Sequence, residues 1–178
     1  MLWQLYEVIR MFLDLHEIIE APGGRVPFQC ELSPERLSFP ALVQFRSAPS
    51  ASGEVKNTAG VLELSAIVEA DMTVRCDRCA AEFSQSVSLP VEAVLKADPD
   101  EDDYAELFPL DGDGVDVSDV LEACFILSMS QKFLCRDDCA GLCPTCGKNL
   151  NDGPCACKKP IDPRMAVLGQ LLDDIQEV

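Results

Sequence analysis

The chain has one histidine, His16, among 178 residues, and so lacks the imidazole partners on which most nucleophilic and general acid–base sites depend. No nucleophile elbow, phosphate-cradling glycine loop or dinucleotide fingerprint occurs either, which sets aside the commonest hydrolase, kinase and dehydrogenase chemistries. Cations are scarce. Lys and Arg number 14 against 31 Asp and Glu, for a formal charge of −17. A surface of that sign repels phosphate backbones and attracts basic proteins. Long apolar runs are also missing: the opening MLWQLYEVIRMFLDLHEII is broken by Glu7, Arg10 and Asp14, so it reads as neither signal peptide nor membrane span. The expectation is a cytoplasmic protein with reduced thiols, no membrane association, no small-molecule substrate and no enzymatic activity.

Cysteine, by contrast, is abundant: ten in all, six of them in the segment CRDDCAGLCPTCGKNLNDGPCAC at 135–157. In a reducing compartment, clustered cysteines point to metal. Cys143-Pro-Thr-Cys146-Gly147 has the form of a metal knuckle, two thiolates three apart on a tight turn. The glycine after it can take φ > 0 and turn backbone N–H groups toward the sulfurs. Cys155 and Cys157 follow a loop long enough to bring four sulfurs around one ion, and tetrahedral zinc suits that donor set. Cys76/Cys79 and Cys135/Cys139 are the remaining pairs, read as a second zinc site, with one zinc and spare thiols as the alternative because sequence does not fix connectivity. A site closed by four sulfurs has no open position, so its metal holds structure. The rival chemistry is redox, with the pairs cycling as dithiols or releasing zinc on oxidation, and Arg75, Arg78, Arg136, Lys158 and Lys159 flank them. Cys30 and Cys124 have no partner at ligand spacing and are expected to be buried in apolar surroundings.

Periodicity predicts an α+β fold: a twisted antiparallel sheet or partly open barrel with a packed helix, a small zinc-ribbon-like module and a C-terminal helix. Residues 1–20 form an N-terminal segment with helical spacing of Leu2, Leu5, Ile9 and Phe12 or Leu13, residues 1–10 being an extension if Met11 is the start. Residues 21–134 hold the sheet, with short strands at 26–32 and 41–46 and a turn or loop at 47–53. Leu62, Leu64, Ala66, Val68 and Ala70 alternate with polar residues, as do Val87, Leu89, Val91, Ala93 and Leu95. These are two long strands of a half-buried sheet, with Cys76 and Cys79 at their hairpin end.

Between 97 and 131 Lys and Arg vanish while eleven acids accumulate, and 97–117 is expected to be an exposed acidic loop. Asp111, Asp113 and Glu122 match three positions of a calcium-binding loop, but Val115 and Asp116 occupy positions that exclude it. Ser118 is expected to cap a helix with Val120, Leu121, Cys124, Phe125 and Leu127 on its apolar face. Residues 135–178 hold the metal module and then, from Asp162-Pro163, an amphipathic helix through Met165, Leu168, Leu171 or Leu172, and Ile175.

The succession CDRCAAEF, acidic run, helix, LCRDDCAGLCPTCGKNLN, CAC and DPRMAVLGQLL resembles the YceD-like family of large ribosomal RNA subunit accumulation proteins, and FLDLHEII with PGGRVPF is similar to the family's opening. The resemblance implies that Cys139, Cys143, Cys146, Cys155 and Cys157 form the metal block. Other members keep the CxRC pair without that block, so the metal module is not by itself the shared activity. It further implies a non-enzymatic role in accumulation, processing or stability of large-subunit ribosomal RNA in bacteria and plastids.

Given the acidity, the block containing Asp100, Glu101, Asp102, Asp103, Asp111 and Asp113 is expected to engage a basic large-subunit protein or assembly factor, with RNA affected indirectly. The runner-up is a direct RNA-binding ribbon using Arg75, Arg78, Lys148, Lys158, Lys159 and Arg164. A redox-sensitive zinc switch is the third.

Overall fold

The computed structural model describes residues 10–97 and 107–157. In chain order the elements are β1 (Phe12–Asp14), α1 (His16–Ile19), β2 (Arg25–Glu31), β3 (Leu42–Phe45) and β4 (Ser50–Thr58). Then come β5 (Val61–Arg75), β6 (Glu82–Lys96), β7 (Leu107–Pro109), β8 (Gly114–Asp116), α2 (Val117–Ser128) and a 3₁₀ turn at Leu150–Asp152. The expected C-terminal helix lies outside the described residues.

The alternation in the sequence becomes the spine of the fold. β5 and β6 pair antiparallel from Leu62 opposite Leu95 to Arg75 opposite Glu82. Every second residue of β5 from Leu62 to Val74 is buried, because successive side chains of a strand point to opposite faces. The main sheet runs β2-β4-β5-β6-β7, with β3 beside the outer half of β5, and it is open rather than closed. It departs from the all-antiparallel expectation at one edge, where β7 lies parallel to β6 with Val94 opposite Leu107.

Of residues 47–53, expected as a turn or loop, 47–49 are a bend and loop, whereas Ser50–Gly53 enter β4, which pairs with both β2 and β5. Their small size reflects packing. Gly53 lies opposite Ala66, and a Cβ on Gly53 would sit 2.3 Å from the Ser65 carbonyl oxygen. β4 turns into β5 through Ala59 and Gly60, at φ 54° and 95°, the two-residue turn whose twist matches the strands it joins.

Residues 10–24, which precede β2, do not form a continuous helix. Residues 1–9 lie outside the described set, β1 pairs antiparallel with β8, and α1 is a single turn. Leu13, Leu15 and Ile18 enter the main core, and the buried Asn57 ties α1 to β4 by donating its amide to the carbonyls of Ile18 and Ile19 at 2.7 and 2.8 Å. β7 and β8 likewise replace part of the acidic loop expected at 97–117, since Val115 is buried on β8; residues 98–106 are outside the described set. Asp111 and Asp113 lie on the exposed turn between these strands, and Asp113 meets His16 at 3.4 Å.

α2 covers the sheet with Val117, Val120, Leu121 and Phe125, all buried. Its cap is Asp116, not Ser118: the Asp116 side chain accepts the Ser118 N–H at 3.0 Å. Ser118 sits inside the first turn, where its hydroxyl accepts the Met11 N–H at 3.0 Å and holds β1 in place. Leu127 leaves the apolar face assigned to it and is 70% exposed, because six residues beyond Leu121 the helix has turned to its opposite side. No helix among the described residues is long and apolar enough to cross a membrane.

Glu122 is the one buried acid on α2. Its Oε2 meets Arg36 at 2.9 Å, while Oε1 has no hydrogen-bond partner among the described residues. Burial pushes its carboxyl up from the ordinary 4.5, against the opposing pull of Arg36. A carboxyl raised in the folded state contributes stability that is present below its unfolded value and lost as pH rises through the folded one. Glu122→Gln is therefore expected to gain stability relative to the parent as pH rises from the ordinary carboxyl value through the raised one, and to gain no more above it. Denaturant unfolding of both proteins between pH 4 and 8 checks this, and a pH-independent difference would contradict it.

Candidate metal centre

The β5–β6 hairpin ends in Cys76-Asp-Arg-Cys79, and hydrogen bonding there forces a knuckle. The Ala80 N–H donates to the Cys76 carbonyl and the Cys76 N–H to the Ala81 carbonyl, both at 2.9 Å. Ala80 takes φ 58° to allow it. Cys143-Pro-Thr-Cys146 repeats the pattern, with Gly147 N–H donating to Cys143 O at 2.9 Å and Cys143 N–H to Lys148 O at 2.8 Å. Here the residue at positive φ, 71°, is Gly147, the conformation its place in the sequence predicts.

All ten cysteines are described and none is in a disulfide. Eight gather into two sets, Cys76, Cys79, Cys135 and Cys139, then Cys143, Cys146, Cys155 and Cys157. Within each set the sulfurs lie within 4.8 Å of one another, an arrangement able to hold a metal ion. In the first set Cys76 Sγ is 3.8 Å from Cys139 Sγ, and Cys79 Sγ is 3.7 Å from Cys135 Sγ. Cys30 and Cys124 join neither set and lie half-buried against the main core.

The first set closes because the chain after α2 is clamped to the hairpin tip. Phe133 is buried and stacks on Phe39 with centroids 5.4 Å apart. Its N–H donates to the Asp77 carboxylate at 2.6 Å, and its carbonyl accepts the Asp77 N–H at 2.9 Å. Arg78 completes the clamp by donating to the Cys139 carbonyl at 2.9 Å, while its own carbonyl accepts the Leu142 N–H at 3.1 Å. The second set is more open, and the expected ribbon is reduced among the described residues to one antiparallel bridge, Leu142 to Asn149, and the 3₁₀ turn.

Backbone N–H groups aimed at sulfur favour the thiolate. Burial raises the Cys76 thiol, but the N–H groups of Cys135, Cys79 and Arg78 override it and bring it down to about 6. Those of Cys146 and Thr145 bring Cys143 down to about 6. Burial and the neighbouring thiols push Cys135 up to about 12, and the Cys146 side chain, then burial, does the same to Cys157. Each set thus holds close-packed thiols that influence one another, one lowered by backbone N–H groups and one raised by burial and its neighbours.

The Asn151 amide is the first cause of a lowered Cys139 thiol, and it went unmarked in the sequence. Its only outward sign is its place in Asn149-Leu-Asn151, a spacing at which one amide can hold the next. Of the candidate RNA-contacting cations, Arg75 meets Glu82 at 3.5 Å and Lys148 donates to the Pro154 carbonyl at 2.9 Å. Arg78 is engaged in the clamp, and Lys158, Lys159 and Arg164 lie outside the described residues. Asp100, Glu101, Asp102 and Asp103 lie outside them as well.

Comparison with known proteins agrees with the order of these motifs. Residues 64–172, more than half of the chain, match the family described as "Large ribosomal RNA subunit accumulation protein YceD". The "Large ribosomal RNA subunit accumulation protein YCED homolog 1, chloroplastic" of Zea mays is similar, at 28% identity over 147 residues. That match covers 65% of this chain and 50% of the relative, so the chain spans half the length of that protein. No solved structure matches. The hairpin from Leu64 onward with its CxRC tip, the helix that follows and both cysteine sets fall within the matched residues, and the chain belongs to the YceD family of large ribosomal RNA subunit accumulation proteins.

Proposed function

We propose that this protein is a non-catalytic factor that supports accumulation of large-subunit ribosomal RNA by binding a basic ribosomal protein or assembly factor, and that two structural zinc ions hold its recognition module. The observation that carries the partner is the solvent face of the sheet. Glu63, Glu69, Asp71 and Glu92 are exposed there, where β5 and β6 turn their polar residues outward. With the exposed Asp111 and Asp113 and the formal charge of −17, this gives a surface suited to a cationic protein and ill suited to bare RNA. The internal engagement of Arg75, Arg78 and Lys148 favours the same choice.

Zinc is favoured by donor chemistry and spacing. Four thiolates suit a tetrahedral soft-ligand ion, and a Zn–S bond of about 2.3 Å requires sulfurs about 3.8 Å apart. The 3.8 and 3.7 Å separations in the first set meet that requirement. Zinc bound to four sulfurs would supply cross-linking, not chemistry, fixing the hairpin tip to the chain that follows α2.

The test is depletion in the host, reading mature large-subunit against small-subunit ribosomal RNA. A selective fall in the large-subunit species is expected, restored by the parent protein and not by one with Glu63, Glu69, Asp71 and Glu92 neutralised. An unchanged ratio would remove the role. Full rescue by the neutralised protein would remove the acidic docking face.

A further inference from the structure

We infer that Asn151 couples the two sulfur sites, so that filling either one strengthens the other. The inference rests on the zinc reading above and concerns how the sites communicate. Asn151 belongs by chain position to the second site, in the loop between Cys146 and Cys155, yet its side chain serves the first. Its Nδ2 donates to Cys139 Sγ at 3.4 Å, and its Oδ1 accepts from the Ala140 N–H at 2.8 Å and the Arg136 guanidinium at 2.7 Å. Asn149 fixes it in that pose, its Oδ1 accepting both the Asn151 N–H at 3.0 Å and the Asn151 Nδ2 at 2.8 Å. The amide orientation follows from these partners: reversed, Asn151 would set an NH₂ group against two donors.

The chain between the sites is also stiff. Only Ala140, Gly141 and Leu142 separate Cys139 from Cys143, and Leu150 N–H closes back on the Gly141 carbonyl at 2.9 Å. Gly141 takes φ 76° with its Cβ position 3.0 Å from the Arg78 carbonyl, leaving little room for this link to relax.

A donor to a ligating sulfur offsets part of the thiolate's charge and orients it, and removing such a partner typically weakens metal affinity about 10–100-fold. Asn151 can play that part only while its loop is shaped. Ligation through Cys143, Cys146, Cys155 and Cys157 pins both ends of the loop, so loading the second site removes the ordering cost that the first would otherwise bear. Linkage makes the effect reciprocal: an open first site must weaken the second by the same factor.

The test uses the full chain, stripped of metal under reducing conditions and titrated with Co²⁺, whose thiolate charge-transfer band reports each site, and then with Zn²⁺ in competition. Native mass spectrometry counts ions per chain. Cys155→Ser, which opens the second site, is expected to weaken the first at least about tenfold, and Cys79→Ser to weaken the second by the same factor. Asn151→Asp keeps the acceptor for Ala140 and Arg136 but loses the N–H to Cys139; it should weaken the first site about tenfold and largely abolish the further effect of Cys155→Ser. Asn151→Ala provides the same comparison without an added charge. A merely structural asparagine would lower the denaturation midpoint and leave these affinities and their non-additivity unmoved. Two ions bound with each affinity unchanged within about twofold by closure of the other site would overturn the coupling and leave the zinc reading standing. No uptake of either metal by the parent would overturn both.

Discussion

On the proposed zinc reading, Cys76→Ser is expected to weaken metal binding at the first set about a hundredfold and to loosen the segment after α2 from the hairpin tip. A neutral hydroxyl replaces a sulfur that backbone N–H groups support, and the remaining three thiols cannot close a tetrahedron. If four ligands share roughly 10–16 kcal/mol of metal-linked folding energy, one is worth about 3 kcal/mol, on the order of a hundredfold in affinity. The sheet should survive. Cys76, Cys79 and Cys139 pack in a cluster of their own, whereas Leu64, Val68 and Val74 belong to the main core. Competition with a zinc chelator should strip the first set about a hundredfold more readily than in the parent, limited proteolysis should cut within 134–157, and far-ultraviolet circular dichroism should keep its strand signature. Two zinc ions retained by Cys76→Ser against the chelator as firmly as by the parent would remove the first set as a metal site.

The second large effect lies where α2 meets the sheet. Phe125 is fully buried, with its ring tilted against Phe45 at 6.4 Å between centroids. Phe125→Ala leaves a void that the surrounding strands cannot close and is expected to cost about 3–5 kcal/mol. For a chain of this size that lowers the melting temperature by roughly 10 °C. Leu127→Ala, two positions along the same helix but facing solvent, is the internal control and should cost no more than about 0.5 kcal/mol. Equal losses in denaturant unfolding of the two variants would mean that α2 does not pack as described.

How much of this could be read from sequence depended on whether a residue's role was set by its neighbours or by distant chain. The β5–β6 hairpin was legible because both strands alternate over many residues and one register satisfies both. The cysteine sets were legible because ligands come in pairs at fixed spacing, leaving few ways to combine them. β4 was not, because Ser50 to Gly53 have the composition of a loop, and the reason for their size, the close approach of Ser65 and Ala66, comes from another strand. β1, β7 and β8 are three residues each, too short for any period to show. The cap of α2 fell two residues from the position assigned to it because Ser118 has the better-placed partner in Met11, over a hundred residues earlier. Asn151 was invisible for the same reason: its value lies in one contact to Cys139 that no local pattern encodes.

The unbroken pairing of β5 with β6 also sets a distance. Fifteen residues of extended chain reach roughly 50 Å, so the hairpin runs the length of the core, with Leu62 opposite Leu95 at one end and the cysteine-bearing tip at the other. The exposed acids Glu63 and Glu92 near the first end and the first cysteine set at the other are thereby held a fixed span apart by one continuous pair of strands.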